Sequence, residues 1–401
     1  MKIVRTLVIS IVIILSFGLV SAYAAGSAEE ASARILSGVE NRENCIDLSS
    51  YGFTGSQLVN LYEETIYTNH PEYIFAAGFG YSTRNGIVQS VFPSYDASVT
   101  PERVVDYESR MIEILSTVDP ALSDLEKVIM VHERLALDCD YDSTLERGES
   151  HNAICDGITV CRGYARAMVD ALKRLGIEAR YVSSDTMHHA WTLVKLDGHW
   201  YHIDACWDDA VYCIGSVGHR YFLKSDFAIG GHYGWADYSL LTGESLVCDD
   251  TRYDSGAFWE YLSQPIAVAV PGELYYLREG YGYSDNLRLV RRRNGEESVV
   301  CTMSVRWPED VTIWYSNLRS GLFCYGGGIF FNDASHIYRY DIAGGQTETV
   351  YTDHRGNCLC GINMRRMRPE YYIDIELSNP GETGRRIWLT DVKTLLPAYA
   401  Q

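Results

Sequence analysis

A cysteine, a histidine and an aspartate occur in this chain in an order and spacing that could support nucleophilic catalysis. Cys161 lies at the start of a strong helical pattern, and a helix N-terminus favours a thiolate over a thiol. His189 and Asp204 lie in two strand-like runs that Asp197-Gly198 separates. In such a set the histidine takes the thiol proton, and the carboxylate orients the imidazole and stabilises its charged form. The residue types therefore predict thiol-dependent acyl transfer.

The two strand-like runs predict a β-hairpin that brings the histidine and the aspartate to one surface. An Asp-Gly pair between alternating apolar runs is a strong signal for a two-residue turn. The predicted cross-strand pairs are Leu196 with His199, Leu193 with His202, Trp191 with Asp204, and His189 with Cys206. In this register the histidine and the aspartate are diagonal neighbours, about 7–8 Å apart at the backbone. A polar pair on a sheet explains these two residues equally well, and only the combination with Cys161 favours catalysis.

The segment from Thr159 to Leu175 carries the clearest helical pattern of the chain. Its apolar positions recur three or four residues apart on one face: Ala165, Met168, Val169, Leu172 and Leu175. Gly176 is a suitable C-terminal stop. The helix has Cys161 in its first turn, where free N–H groups could also form part of an oxyanion hole. A lone cysteine at a helix start is more often structural, so this position does not assign a role by itself.

The flanking segments supply the elements that would support such a site. Residues 25–44 are small, polar and charged, and we expect them to be poorly ordered. The pattern predicts a helix over Thr54–Ile66, short strands over Tyr73–Phe92, and helices from Pro101 and from Ser123. Together with the hairpin, these elements predict an α+β fold.

The last third of the chain predicts an all-β region. After about residue 255 the sequence is rich in tyrosine, glycine and turn residues. Leu287, Ile337 and Ile387 begin three similar segments at a spacing of 50 residues, and an aromatic strand precedes each segment. Repeats of this size resemble propeller blades, but three are too few to close a propeller of about 4–8 blades. We predict blade-like units, and three ordinary meander hairpins are the alternative.

The first 24 residues predict a secretory signal peptide. Lys2 and Arg5 flank the start of an apolar run from Leu7 to Val20, and Ala22-Tyr23-Ala24 follows as a cleavage-like site. An uncleaved membrane anchor is the alternative. We therefore expect a secreted or cell-surface protein whose contact with a membrane is limited to this signal sequence.

Length and charge narrow the function classes further. The 401 residues include 34 basic and 53 acidic side chains, a net charge of −19, and 47% of the residues are hydrophobic. This composition excludes a disordered or fibrous chain, and the acidic balance argues against nucleic acid as a partner. The length suits two or three domains. We predict an N-terminal α+β segment at 25–100, a catalytic domain at 101–250 and a β-rich domain at 255–401.

The cysteines and the remaining histidines do not form a metal-binding pattern. The eleven cysteines include no CxxC pair, and no loop has the ligand spacing of a calcium-binding EF-hand. Five histidines lack supporting cysteine or carboxylate spacing: His188, His199, His202, His219 and His232. We therefore predict neither a metal nor another cofactor. The odd cysteine count means that at least one cysteine of an exported protein is free or pairs with another chain.

Three segments resemble the transglutaminase-like superfamily, in particular its exported bacterial branch. They are Val160-Cys161-Arg162-Gly163-Tyr164-Ala165, His189-Ala190-Trp191 and His202-Ile203-Asp204-Ala205-Cys206-Trp207-Asp208-Asp209, within a likeness that covers about residues 70–240. The resemblance implies a papain-like α+β core in which Cys161, His189 and Asp204 are the catalytic triad. Three positions depart from the pattern, because Arg162, Thr192 and Cys206 stand where the branch usually has glutamine, asparagine and threonine.

These observations predict an exported cysteine enzyme that acts on peptide or glutamine carboxamide bonds through a thioester. Hydrolysis is slightly favoured over crosslinking, because water is always available as the acceptor. We assign substrate contacts to Arg162, Trp191 and Trp207, and we expect a protein or peptide substrate, with cell-wall material among the candidates. The alternative is a catalytically silent scaffold or binding protein at the cell surface, which Arg162 and the odd cysteine count would suit.

Overall fold

Helices and strands are both abundant in the part of the chain that the structure describes, at 26% and 35%. The computed structural model describes residues 27–209, 215–279, 286–304, 320–354, 358–367, 370–377 and 385–388. The predicted signal peptide therefore lies outside the described residues. The mixture confirms the predicted α+β class, and the C-terminal sheets are consistent with an all-β region. Among the described helices, none is long and apolar enough to cross a membrane.

Among the described residues, the helices lie before residue 210. They are α1 (27–40), α2 (Gly55–Tyr62), α3 (Pro101–Leu115), α4 (Asp124–Asp138), α5 (Cys161–Arg174) and α6 (Ala205–Asp208), with π-helical turns at Glu63–Thr68 and Asn152–Asp156. The side chains of Thr54, Thr100 and Ser123 cap the N-termini of α2, α3 and α4. These caps satisfy N–H groups that a helix start leaves free.

Helix α1 corrects the expectation that residues 25–44 are poorly ordered. Four small or apolar side chains recur along it at three- or four-residue steps and are buried: Ala28, Ala31, Ile35 and Val39. Alanine contributes little apolar contrast, so the pattern is weak in the sequence although it forms a packed face. The predicted helix over Thr54–Ile66 is also modified, because α2 ends at Tyr62 and continues as the π-helical turn.

Nine strands precede residue 225. They are β1 (Ile46–Asp47), β2 (Ala76–Arg84), β3 (Ile87–Tyr95), β4 (Asp140–Tyr141), β5 (Ile158–Thr159), β6 (Ala179–Ser184), β7 (His189–Leu196), β8 (His199–Ile203) and β9 (Phe222–Lys224). Strands β1, β3 and β2 form one antiparallel sheet in that order, and β4 and β5 form a short parallel pair. Strands β6, β7, β8 and β9 form the antiparallel sheet on which α5 packs.

Three antiparallel sheets make up the C-terminal part. Their strands are β10 (Ala267–Val270), β11 (Glu273–Glu279), β12 (Asn286–Arg293), β13 (Glu296–Ser304), β14 (Leu322–Tyr325), β15 (Gly328–Asn332), β16 (His336–Asp341), β17 (Thr347–Thr352), β18 (Leu359–Met367), β19 (Glu370–Leu377) and β20 (Arg385–Trp388). The strands follow chain order, as β10–β13, β14–β17 and β18–β20. Leu287, Ile337 and Ile387 each lie in the third strand of a sheet. Their common place agrees with the 50-residue spacing, and the repeat itself stays a prediction.

A continuous apolar core joins the N-terminal segment to the central sheet. It runs from Ala28 in α1 through Leu172 in α5 and Val194 in β7 to Val290 in β12. Polar contacts add to it, since Asn363 Nδ2 donates to the carbonyl of Leu137 at 3.0 Å. The predicted domain boundaries stay predictions, because the packing crosses each of them.

Candidate active site

Cys161 is the first residue of α5, as the helical pattern predicts. The preceding residue, Val160, makes no side-chain hydrogen bond to the helix, so the first turn has no side-chain cap. Cys161 is partly exposed. The helix is held against β7, where Thr192 Oγ1 lies 3.3 Å from the carbonyl oxygen of Ala165. The thiol therefore lies at the positive end of a helix whose position is set by the sheet.

The hairpin that carries His189 forms in the predicted register over most of its length. Leu196 pairs with His199 and Leu193 pairs with His202 across the β7–β8 turn. The turn residues Asp197 and Gly198 have φ angles of 51° and 84°, as a two-residue turn of this type requires. The register prediction is confirmed for these two pairs.

The outer part of the predicted hairpin is wrong. Strand β8 ends at Ile203, so the pairs of Trp191 with Asp204 and of His189 with Cys206 do not form. Asp204 instead caps α6, because its Oδ1 accepts hydrogen bonds from the backbone N–H groups of Cys206 at 3.0 Å and Trp207 at 3.1 Å. Aspartate is a preferred N-cap, and this local bond competes with strand pairing.

The structure nevertheless brings the three predicted site residues together. His189 Nε2 lies 2.6 Å from Asp204 Oδ2, and the ring of His189 also makes a side-chain hydrogen bond with Cys161. Because Nε2 is on the aspartate, Nδ1 is the ring nitrogen left for the thiol. The other carboxylate oxygen, Oδ2, contacts His189. Asp204 therefore approaches His189 from the N-terminus of α6 and not from the predicted strand. This arrangement can transfer a proton between a thiol and an imidazole that a carboxylate orients.

The electrostatics of the dyad favour a charged pair. Burial lowers the pKa of His189, but its hydrogen bonds to Asp204 and Cys161 outweigh burial and raise the pKa to about 9. Burial raises the pKa of Asp204, and its hydrogen bonds to His189 and His232 more than compensate, so that the pKa lies below its usual value. Asp204 is therefore ionised and His189 is protonated at neutral pH.

A second histidine on Asp204 was not assigned to the site from the sequence. His232 Nε2 lies 3.0 Å from Asp204 Oδ2, and the side chain is fully buried. His232 lies 28 residues after the aspartate, in a loop without helical or strand periodicity. The only local signal is the preceding pair Gly230-Gly231, whose φ angles of 43° and 80° turn the chain back toward the site.

The three residues assigned to substrate contact have different environments. Trp207 is 40% exposed, and its ring stacks on that of His189 at a centroid distance of 4.8 Å. Trp191 is 1% exposed and donates its indole N–H to His202 Nδ1 at 2.9 Å, so it offers no free surface to a substrate. Arg162 donates to the carbonyl of Gly148 at 3.0 Å and pairs with the buried Glu149. Only Trp207 presents an open wall beside the dyad.

Cys161 and Cys206 are both free thiols. Cys206 is buried, and burial raises the pKa of its thiol. Its backbone N–H binds Asp204, whereas its side chain lies among apolar neighbours of the core. A buried thiol with a raised pKa is unreactive, so Cys206 differs in kind from the partly exposed Cys161.

Three groups of described side chains have atoms close enough to share a metal ion. We call His189, Asp204 and His232 the site cluster, and His132, Glu133, His219 and Asp208 the core cluster. The third group is His202, Asp226 and Cys248. His202 Nδ1 accepts the indole N–H of Trp191, so its Nε2 carries a proton and donates to Asp226. That histidine has no lone pair left for a cation. In each group, hydrogen bonds between the side chains explain why their polar atoms lie close together.

Comparison with known proteins identifies the central part of the chain. Residues 114–205 match the family model of the transglutaminase-like superfamily. This region is a transglutaminase-like core. The match includes Cys161, His189 and Asp204 and covers α4, α5 and the β6–β8 sheet. Residues 114–205 are thus similar to a superfamily that includes transglutaminase-like and papain-like cysteine enzymes.

Two solved structures show a more distant similarity to the transglutaminase-like core. A TGase is 17% identical with a TM-score of 0.24, and the alignment covers 32% of this chain and 44% of that one. A proposed cysteine protease from Cytophaga hutchinsonii is 13% identical with a TM-score of 0.22, with coverage of 32% and 62%. The alignments thus span less than two thirds of either structure. A search of curated proteins gave no match.

Proposed function

We propose that this protein is an exported cysteine hydrolase or acyltransferase with Cys161 as its nucleophile. The proposal rests on two side-chain contacts of His189. Its ring makes a hydrogen bond with the Cys161 thiol, and its Nε2 lies 2.6 Å from Asp204 Oδ2. The exposed Trp207 beside these contacts supports a role in binding a substrate. The alternative of a silent scaffold would not require a thiol in contact with an imidazole that a carboxylate orients.

The reaction follows from the positions of these groups. In the charged pair the proton of the Cys161 thiol lies on Nδ1 of His189, and the thiolate attacks the carbonyl carbon of a peptide or glutamine carboxamide. Free N–H groups at the start of α5 would stabilise the oxyanion. The C–N bond then breaks as His189 gives its proton to the leaving nitrogen, which leaves a thioester. Asp204 keeps the ring orientated and stabilises its positive charge.

The second half of the reaction returns the free thiol. His189 removes a proton from water, the hydroxyl oxygen attacks the thioester carbon, and the C–S bond breaks to release a carboxylate. An amine in place of water would give a crosslink by the same steps. We favour hydrolysis, because water needs no binding site of its own.

Location and partners complete the proposal. The basic start and apolar run of residues 1–24 support secretion or display at the cell surface. The substrate is then a protein or peptide outside the cell, with cell-wall material among the candidates. The net charge of −19 supports the exclusion of nucleic acid as a partner.

The rate of iodoacetamide labelling of Cys161 against pH tests this function. The exposed Cys45 in the same chain is the internal control for an ordinary thiol. We expect Cys161 to be labelled faster than Cys45 at pH 6 and to lose this advantage in His189→Ala. Mass spectrometry of each cysteine peptide gives both rates from one sample.

Equal rates at the two cysteines, unaffected by His189→Ala, would rule out the nucleophile and leave the scaffold. If Cys161 is activated, a peptide library with glutamine and internal amide bonds identifies the substrate. Release of new carboxylates without an added amine indicates hydrolysis, whereas incorporation of a fluorescent primary amine indicates crosslinking.

A further inference from the structure

His232 makes a contact that the reaction described above does not use. Its Nε2 lies 3.0 Å from Asp204 Oδ2, the same oxygen that holds His189 Nε2 at 2.6 Å. Its other ring nitrogen, Nδ1, lies 3.2 Å from the carbonyl oxygen of Gly230. The imidazole is closed to solvent. Two imidazoles therefore share one carboxylate oxygen next to the thiol.

This sharing decides how strongly Asp204 acts on His189. The other oxygen, Oδ1, is already held by the backbone N–H groups of Cys206 and Trp207. Each hydrogen bond that a carboxylate accepts stabilises its charge and makes it a weaker base. The N–H of His232 thus reduces the negative charge that Oδ2 presents to His189. Without that donor, Asp204 would hold the proton on His189 more tightly.

The fold orients His232 toward this oxygen. The Gly230-Gly231 turn has two successive positive φ angles, which favour glycine, and a Cβ on Gly231 would lie 3.4 Å from the Trp207 ring. The His232 ring packs on Trp191 at 4.7 Å and on Trp207 at 4.4 Å between centroids. These two contacts hold the imidazole beside the carboxylate.

The titratable groups that face His232 are few. On the elements packed against it they are Asp204, His189, Tyr221, whose ring centroid lies 5.6 Å away, and His202, which it affects electrostatically. Asp204 is the acid among them that bonds the imidazole directly. His232 thus acts on the proton of His189 by a hydrogen bond to this carboxylate, beside the ring contact of 5.6 Å between His232 and His189.

We propose that His232 is a positioning residue which shares Asp204 Oδ2 with His189 and so limits how tightly the carboxylate holds the His189 proton. The inference rests on the proposed function, because His189 must give this proton to the leaving nitrogen. If Asp204 bonded His189 alone, it would stabilise the imidazolium more strongly and would slow the transfer of its proton to the leaving nitrogen. His232 thereby keeps His189 able both to take and to give a proton.

Two amide variants separate the contact with Asp204 from the rest of the environment. In His232→Gln the amide nitrogen takes the place of Nε2 and can donate to Asp204. In His232→Asn it takes the place of Nδ1 and reaches only the Gly230 carbonyl. Both are made in the Cys161→Ala protein, and the His189 ring is titrated by NMR with labelled histidine. This readout does not depend on catalysis.

We expect His232→Asn to raise the pKa of His189 by roughly one unit and His232→Gln to leave it within about 0.3 units of the parent protein. Equal pKa values in the two variants would overturn the proposal. His232→Leu is a second variant without a donor, and it replaces the Asn variant if that protein does not fold. His202→Gln is the matched control, because His202 bonds Asp226 and not Asp204.

Kinetics on the protein with Cys161 intact provide an independent readout. We expect His232→Asn to lower kcat about tenfold with little change in KM, and His232→Gln to restore most of the rate. A change in KM alone would contradict a positioning role. Failure of the proposed function shows differently, as labelling of Cys161 that does not depend on His189.

Discussion

Two buried groups of histidines and acids in this molecule are built alike. In the site cluster, His189 and His232 both bond Oδ2 of Asp204, at 2.6 and 3.0 Å. In the core cluster, His132 Nδ1 and His219 Nε2 lie 3.4 and 2.7 Å from Oε1 of Glu133. Each cluster thus puts two imidazoles on one carboxylate oxygen.

The surroundings of the two clusters differ. In the core cluster, Asp208 contacts His132 and the carbonyl of Leu262 contacts His219. The ring of Phe222 lies 4.5 Å from the ring of His132 between centroids. The site cluster contacts a thiol and the half-exposed Trp207. The comparison teaches that a histidine–carboxylate pair is a structural tie when it is enclosed. The same pair supports chemistry only when a nucleophile and an opening to solvent adjoin it.

Removal of the thiol should have the largest effect, because the thiol is what distinguishes the site cluster. We expect Cys161→Ala to lower peptide hydrolysis by at least about 10³-fold without loss of the fold. Cys206→Ala is the control, since that thiol is buried and unreactive, and it should stay within a few-fold of the parent rate. Initial rates and thermal melting measure both. Substantial activity in Cys161→Ala would assign the reaction to another residue.

Neutralising the shared acid in each cluster compares the two clusters directly. Asp204→Asn keeps a good N-cap for α6 but loses the charge that supports His189, and we expect activity per folded molecule to fall by roughly 10²–10³-fold. Glu133→Gln removes the buried carboxylate that His132 and His219 share and leaves Asp208 as the acid on His132, so it should lower the free energy of unfolding by about 3 kcal/mol.

Urea unfolding and assays corrected for the folded fraction measure these two effects. Glu133→Gln should keep its activity per folded molecule. If Glu133→Gln instead lost activity as Asp204→Asn does, the core cluster would be part of the reaction. That result would contradict the distinction between the two clusters.

Both clusters should titrate near the same pH, with different consequences. Hydrogen bonds to Asp208 and Glu133 outweigh burial and raise the pKa of His132 to about 9, as the site contacts do for His189. A raised pKa stabilises the folded state below the ordinary value of about 6.5, and this contribution is lost as pH rises through 9. We expect the contribution of His132 to the unfolding free energy to fall by about 3 kcal/mol between pH 6 and 10. Activity should fall about tenfold between pH 8 and 10, as His189 loses its proton.

His132→Gln separates the two titrations, because it removes only the core histidine. The variant should show a flatter dependence of stability on pH while the activity profile stays unchanged. An activity profile that shifts with His132→Gln would contradict the separation of the clusters.

The smallest effect should come from the open wall of the site cluster. Trp207→Ala removes an exposed ring that stacks on His189, and we expect KM to rise several-fold with little change in stability. Trp191→Phe is the buried counterpart, because it loses the hydrogen bond to His202 and should cost about 1 kcal/mol of stability at constant KM. Steady-state kinetics and urea unfolding distinguish the two, and the reverse pattern would assign Trp191 to substrate contact after all.

Much of the local structure of the site could be predicted from the sequence. The apolar spacing after Cys161 defines α5, and Asp197-Gly198 defines the turn and the inner register of β7 and β8. These are short-range signals, because they depend on residues within one helix or one hairpin. The end of β8 was missed, since the strand pattern of residues 199–206 does not reveal that Asp204 prefers a helix cap to a cross-strand partner.

The sequence by itself determined the chemistry of the site, because the residue types, their order and the hairpin turn limit where a thiol, an imidazole and a carboxylate can lie. Only the tertiary structure decided which residues share the Asp204 carboxylate and that the Trp207 indole is exposed whereas the Trp191 indole is buried. It also decided that residues 27–40 form a packed helix. His232 reaches Asp204 from a loop without periodicity, Trp207 reaches His189 from the short helix α6, and Trp191 is covered by the aromatic rings of Trp235 and His232. Such contacts depend on packing between distant segments, which local sequence patterns do not encode.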